Sequence, residues 1–249
     1  MPNVIGLTEK FQPILDEIYQ KASMTARMDA PTKPVSFAGS PTVQIFTTNI
    51  VGLGNYGRNT GYPAGDVVAG WVPYTLTQDR GRELMIDRMD DEETLGMAFG
   101  TLAGEFMRTG VVPEVDAYRF ATYASTPGIQ VVPVPVAVTS ANILAAIDAA
   151  KLALNAAQVP TEGRILYMSE TALAALEGAI TRTLANEGTV DRRVMRFDGM
   201  DVIMVPQTRF YTAIDLDNGA NPATGGYAKG APPNAGLNIT HIIGGIGES

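Results

Sequence analysis

Apolar positions along this chain change their period several times, and the changes mark out its elements. From Thr8 to about Arg27, Phe11, Ile14, Leu15, Ile18 and Ala22 recur at steps of three and four. That is one face of an amphipathic helix with Thr8 as its N-cap. Pro31 and Pro34 stop it. A helix so placed has little core of its own, and it is expected to dock on a neighbouring subunit or on its own domain. Val43–Val51 (VQIFTTNIV) is rich enough in β-branched residues to predict a strand, and WVPYTLTQ from Trp71 predicts another. Between them runs a polar, glycine-rich segment, Gly52–Gly70. Two strands around such a tip predict a long hairpin or extended loop with too little apolar surface to fold alone.

The period then returns to that of a helix. Asp90 and Glu93 have capping-box spacing, and Leu95, Phe99, Leu102 and Phe106 form an apolar stripe. Gly96, Gly100 and Gly104 recur every fourth residue. Each costs roughly 1 kcal/mol of helix propensity, which suggests close backbone approach along one face. The pattern predicts an end at Thr109–Gly110 and a shorter helix opened by Pro113. Beyond Ile129–Val138, an alanine-rich helix is expected with Thr139 or Ser140 as its cap. Arg164–Ser169 (RILYMS) predicts a buried strand, and a second helix starts at Ser169. Two further strands follow, joined by Asp198–Gly199, a hairpin signal. Helix, strand, helix, strand predicts a compact α/β lobe over about Thr139 to Phe210. A loop rich in Asn, Gly and Pro (Asp215–Gly236) leads to a last strand, Leu237–Gly245. There is no internal repeat.

Composition narrows the classes. With 249 residues, 45% apolar and 18% charged, the chain is globular, long enough for one large domain or two modest ones. No apolar run reaches the ~20 residues of a membrane span, and the first residues lack the basic and apolar regions of a signal peptide. The expectation is a protein made in the cytosol, with no membrane partner. Cysteine is absent, which removes disulfides, thiol nucleophiles and cysteine metal sites. The one histidine, His241, cannot build a multi-histidine zinc site. A packed or exposed strand histidine is the simpler reading. The net charge is −8, and Lys10, Lys21, Lys33, Lys151 and Lys229 are the only lysines. Tight, direct DNA binding is therefore not expected, whereas an acidic wall that encloses DNA is compatible.

Three patterns could carry chemistry. Gly52, Gly54 and Gly57 form a G-x-G-x-x-G after a predicted strand, but the residues that follow cannot start the helix whose N-terminus would hold a pyrophosphate. A flexible loop tip is the better reading. Asp215, Asp217 and Asn218 hint at a calcium loop, yet its glycine falls one position early and loop position twelve is Gly226. An ordinary turn is favoured. The cluster Asp79–Glu93 interleaves Arg80, Arg82 and Arg88 with acids, so an ion-pair lattice that sets register between subunits is preferred to catalysis. No catalytic, metal-binding or cofactor-binding residue is assigned, and the chain is not expected to be an enzyme.

These same segments carry a family resemblance. Asn55–Thr94 resembles the extended loop and spine-helix start of tailed-bacteriophage major capsid proteins with the Hong Kong 97-type fold. Ala103–Ala124 is similar to the rest of their spine region, and Val190–Ile214 to their axial-domain hairpin. The most specific parts are Asp79-Arg80-Gly81, Ile86-Asp87, Met89-Asp90, Glu93-Thr94, Pro113-Glu114 and Asp116-Ala117-Tyr118. The match runs from about Gly39 to Gly244.

The resemblance implies an α+β subunit with an N-terminal arm (1–38), an extended β-hairpin loop (39–88), a long spine helix with peripheral domain (89–136), an α/β axial domain (137–235) and a return strand (236–249). It implies a structural protein of an icosahedral phage head, made in the bacterial cytoplasm and residing in the virion. Its partners would be copies of itself in hexamers and pentamers, a separate scaffolding protein and a portal. It would enclose double-stranded DNA without reading its sequence. Candidate inter-subunit contacts are Asn55, Tyr56, Arg58, Asp66, Asp79, Arg80, Arg82, Asp87, Arg88, Asp90 and Glu93. Relatives usually continue past the strand matching Leu237–Gly245, so Ser249 implies a short C-terminus. Some relatives cross-link through an extended-loop lysine. Here no lysine lies between Lys33 and Lys151, so no such cross-link is expected. An encapsulin-like compartment shell shares the fold and is the alternative; a nucleotide-dependent enzyme resting on the Gly52 motif is a distant one.

Overall fold

The computed structural model describes residues 22–28, 35–37, 42–65, 67–83, 97–127, 129, 137–180, 194–220, 225–233 and 235–245. The chain divides into two compact units, Ala30–Met85 with the last two residues, and Met1–Asp29 with Ile86–Gly247. The architecture is mixed α and β, with three separate sheets and a long helix.

The smaller unit is a three-stranded antiparallel sheet of β1 (Val35–Phe37), β2 (Thr42–Ile50) and β3 (Val67–Thr75), in that order. The two predicted strands are β2 and β3, which pair along their whole length, Thr42 with Thr75 through Ile50 with Val67. Pro73 sits within β3 opposite Gln44. It is tolerated because β3 is an edge strand, where a missing ladder N–H costs little.

The larger unit centres on a four-stranded sheet with β5 (Arg196–Phe197), β6 (Met200–Val205), β4 (Arg164–Ser169) and β9 (His241–Gly245) in that order. β4 is parallel to β6 and antiparallel to β9. All six residues of β4 are buried, as an apolar run without alternation requires. Its odd and even positions serve two cores. Leu166 and Met168 face a cluster with Ile143 and Ile147 of α3 (Ile143–Ala156) and Ala172 and Leu176 of α4 (Glu170–Ala179). Ile165 and Tyr167 face a cluster with Phe120, Val205, Phe210 and Ile239. Phe120 meets both Tyr167 and Phe210 edge-on, with ring centroids 5.3 and 5.0 Å apart, the favoured aromatic geometry.

The expected helix and hairpin signals are borne out at two points. Ser169 caps α4 by accepting a hydrogen bond from the Ala172 amide at 3.3 Å. Asp198 and Gly199 turn β5 into β6 with φ of 48° and 80°, both in the left-handed region that the Asp-Gly pair suits.

Several expectations are corrected. The long helix does not end at Thr109–Gly110. α1 (Met97–Phe106) passes through a π-helical segment, Met107–Val111, directly into α2 (Val112–Ser125). The Val112 amide reaches back five residues to the Met107 carbonyl. The wider turn accommodates Pro113, whose missing N–H and ring would disrupt a regular α-helix. Neither Thr139 nor Ser140 caps α3; Asn142 stands there, its side chain accepting from the Thr139 amide and donating to the Ala137 carbonyl. The Asn/Gly/Pro-rich loop holds a small hairpin, β7 (Ile214–Leu216) with β8 (Tyr227–Lys229). The proposed N-terminal helix lies mostly outside the described residues. Its end is interrupted at Ser23–Thr25, and Ala26–Met28 forms a 3-10 turn.

Candidate assembly surfaces and a buried anchor

The arm formed by β2 and β3 shows no interior among the residues whose exposure is described: from Thr42 to Glu83, none of these is buried. Trp71 packs edge-on against its cross-strand partner Phe46, centroids 5.3 Å apart, yet Trp71 remains 47% exposed. Val68, Val72 and Tyr74 are exposed on the alternate positions of the same strand. Both faces of the sheet thus leave apolar surface in water.

Glycine chemistry shapes the tip. Gly57 and Gly61 exchange backbone hydrogen bonds at 3.1 and 2.7 Å, and Gly61 has φ +75°, closing a tight turn over Arg58–Thr60. Tyr56 and Tyr62 flank it with ring centroids 4.9 Å apart. The glycine triplet therefore leads into a reversing turn, and no helix N-terminus follows that could hold a pyrophosphate.

Of the candidate contact residues, Asn55, Tyr56 and Arg58 are exposed at this tip, and Asp79, Arg80 and Arg82 are exposed in the extended stretch after β3. Asp66, Asp87, Arg88, Asp90 and Glu93 lie outside the described residues. Among the described residues, no group of three or more His, Asp or Glu side chains could hold a metal ion. Asp215 and Asp217 instead accept backbone N–H bonds from Ala231 and Gly219, as turn residues do. No helix of the described residues is long and apolar enough to cross a membrane.

In the larger unit, sequence reading missed a polar anchor. Asp116 of α2 is fully buried. Its carboxylate accepts hydrogen bonds from the Ser23 hydroxyl at 2.7 Å, the Met24 amide at 3.1 Å, and the Thr25 hydroxyl and amide at 2.7 and 3.3 Å. Arg209 supplies the countercharge at 3.5 Å. Arg119 donates to the Thr25 hydroxyl, and the Tyr167 hydroxyl donates to the Met24 carbonyl. Met24 and Met28 pack on the Phe120 core, and a side chain at Gly244 would collide with Met28. The segment preceding Pro31 therefore docks on the chain's own lobe. A signal existed: Asp116 interrupts the apolar spacing Val112, Ala117, Phe120, Ala121, so an acid falls on the buried stripe of α2.

Two further ionic groupings sit on the lobe. Lys151 of α3 pairs with Asp148 and with Asp198 at the β5–β6 turn. These hydrogen bonds, Asp198 foremost, raise the pKa of Lys151. Asp201 of β6 lies between Arg27 at 3.2 Å and Arg196 at 3.0 Å. His241, on the edge strand β9, is held below the ordinary imidazole pKa by burial, with the Ala146 carbonyl opposing weakly. Burial likewise raises the Tyr227 hydroxyl.

No family model matches the sequence, and no curated protein does. Among solved structures, a chain from Mycobacterium phage Che8 is similar to this one with a TM-score of 0.48 and 12% identity, over 75% of this chain and 67% of that chain.

Proposed function

We propose that this chain is a structural shell subunit and not an enzyme: the major capsid protein of a tailed bacteriophage. It assembles with copies of itself into hexamers and pentamers of an icosahedral head, with a scaffolding protein and a portal as further partners. The head encloses double-stranded DNA, and the protein resides in the virion after synthesis in the bacterial cytoplasm.

The observation that supports this reading is the coreless arm. A sheet with nine-residue strands and no buried residue among those whose exposure is described gains little from its own packing, and small sheets need an apolar face covered to be stable. Exposed Trp71, Tyr74 and Val68 are the kind of surface that marks a contact with another protein. The same stretch carries the residues that resemble the capsid extended loop. Heterologous contacts repeated around closed rotation axes let one chain build a large shell from such an arm. The acidic net charge of −8 suits a wall that surrounds DNA without gripping it.

The test is negative-stain electron microscopy of the purified chain at rising concentration, read with the fluorescence of Trp71, the only tryptophan. Closed shells or five- and six-membered rings, with Trp71 shielded from a soluble quencher, are expected. A monomer whose Trp71 stays fully quenchable at every concentration overturns the proposal. Packaged DNA distinguishes a phage head from a compartment filled with enzyme.

A further inference from the structure

We propose that Asn218 is a self-modifying site, converted to aspartate or isoaspartate through a succinimide by groups within its own loop. The site lies just after β7, and residues 217–220 are all exposed. It is independent of the shell reading above.

Three groups of the neighbouring residues accompany one carboxamide. The nucleophile is the backbone nitrogen of Gly219, the residue after Asn218, where the absence of a Cβ leaves the approach open. Its N–H donates to the Asp217 carboxylate at 2.7 Å, so a proton acceptor already sits on the attacking atom. The electrophile is Cγ of Asn218. Its oxygen, Oδ1, accepts from the Ala220 amide at 2.9 Å, a donor placed where negative charge would develop. Gly219 has φ +67°, a conformation glycine adopts without strain. The Asp217 amide donates to the Gly226 carbonyl at 3.0 Å, which fixes the base against the hairpin. Base, nucleophile, electrophile and oxyanion donor thus come from four consecutive residues, the constellation that acyl chemistry uses.

The steps balance. Asp217 takes the Gly219 N–H proton as nitrogen bonds to Cγ, and the electron pair moves onto Oδ1 beside the Ala220 N–H. Collapse of that intermediate breaks the Cγ–Nδ2 bond, and Nδ2 leaves as ammonia with the proton returned to it. Water then opens the five-membered imide at either carbonyl, giving aspartate or isoaspartate. One water is consumed, one ammonia is released, and no oxidant or cofactor takes part. Each event adds one negative charge at the loop, and the isoaspartate product also inserts a methylene into the backbone.

The experiment is peptide mapping by mass spectrometry of the full chain, stored at neutral to mildly alkaline pH, native and in urea. The amide-to-acid mass change at Asn218 is expected to accumulate several-fold faster in the native chain than in the unfolded one. That is below the roughly 10²-fold a positioned general base supplies in a water-excluded site, because this loop is wet. D217A should bring the native rate down to the unfolded rate. N218Q, one methylene longer, should show no conversion while its melting temperature stays that of the parent. Conversion no faster in the native chain, or a native rate unchanged by D217A, overturns the proposal.

Discussion

Thr25 donates its hydroxyl to the carboxylate of Asp116 across 91 residues of sequence, at 2.7 Å, with both residues fully buried. The bond joins the segment before the arm to the middle of the long helix. It is one of four hydrogen bonds that Ser23, Met24 and Thr25 make to the same carboxylate. Arg209 stands farther off at 3.5 Å, so these donors carry most of the compensation for burying the charge.

Replacing Asp116 with alanine would take the acceptor from the buried Thr25 hydroxyl and from the half-buried Ser23 hydroxyl and Arg209 guanidinium. Hydrogen bonds to a charged group contribute about 1.5–3 kcal/mol each and are not additive, so a net loss of about 3 kcal/mol is expected. Urea unfolding should show a lower midpoint for D116A, and Met24 and Met28 should become more accessible to oxidants. A midpoint within error of the parent would show that the anchor is dispensable.

His241 gives the lobe a pH dependence of known sign. Burial holds its folded pKa below the ordinary 6.5, so as pH falls the unfolded chain takes up the proton first. The stabilisation is full above about 6.5, declines as pH drops through that value toward the folded pKa, and is then gone. Because it is the only histidine, H241Q should flatten the unfolding midpoint across this window. A midpoint whose slope in the window is the same in H241Q assigns the dependence to the carboxylates instead.

At the Asp198–Gly199 turn a side chain on the glycine is costly for the backbone alone. Gly199 has φ +80° with open space around it, so the cost of G199A is conformational and not steric. Forcing alanine into the left-handed region costs roughly 1–2 kcal/mol. Thermal unfolding should register that loss, whereas G70A, in a strand with open space, should show much less.

A charge reversal at Arg80 tests the proposed assembly role apart from folding. Arg80 is exposed in the stretch after β3, which the proposed function reads as part of the extended loop. R80E should leave the unfolding midpoint of the isolated subunit within about 0.5 kcal/mol of the parent, as surface changes usually do, while lowering the yield of shells or rings in electron micrographs. Normal assembly of R80E would remove Arg80 from the contact.

The sequence by itself determined the local elements wherever a short-range rule has one solution. The β-branched run from Val43 could only pair with a nearby strand, and the glycine-rich tip set the two against each other as β2 and β3. Ser169 ahead of an alanine-rich helix and Asp198–Gly199 between two apolar runs were equally local, since each motif satisfies its own backbone groups. The exposed arm was legible for the same reason: a segment with few large apolar residues cannot bury a core.

Tertiary structure decided what depends on distant partners. Gly110 and Pro113 predict a break, but the long helix continues through a π segment, because packing of Val112, Ala117 and Phe120 keeps α2 in line at a tolerable local cost. The anchor was illegible as a site because Asp116 meets Ser23–Thr25 only once the chain has folded back on itself; alone, it reads as a misplaced acid on an apolar stripe. The pairing of β9 with β4 and of β7 with β8 was likewise settled by long-range hydrogen bonding. Periodicity reports which face of an element is apolar; which surface covers that face is fixed only by the contacts that exclude water.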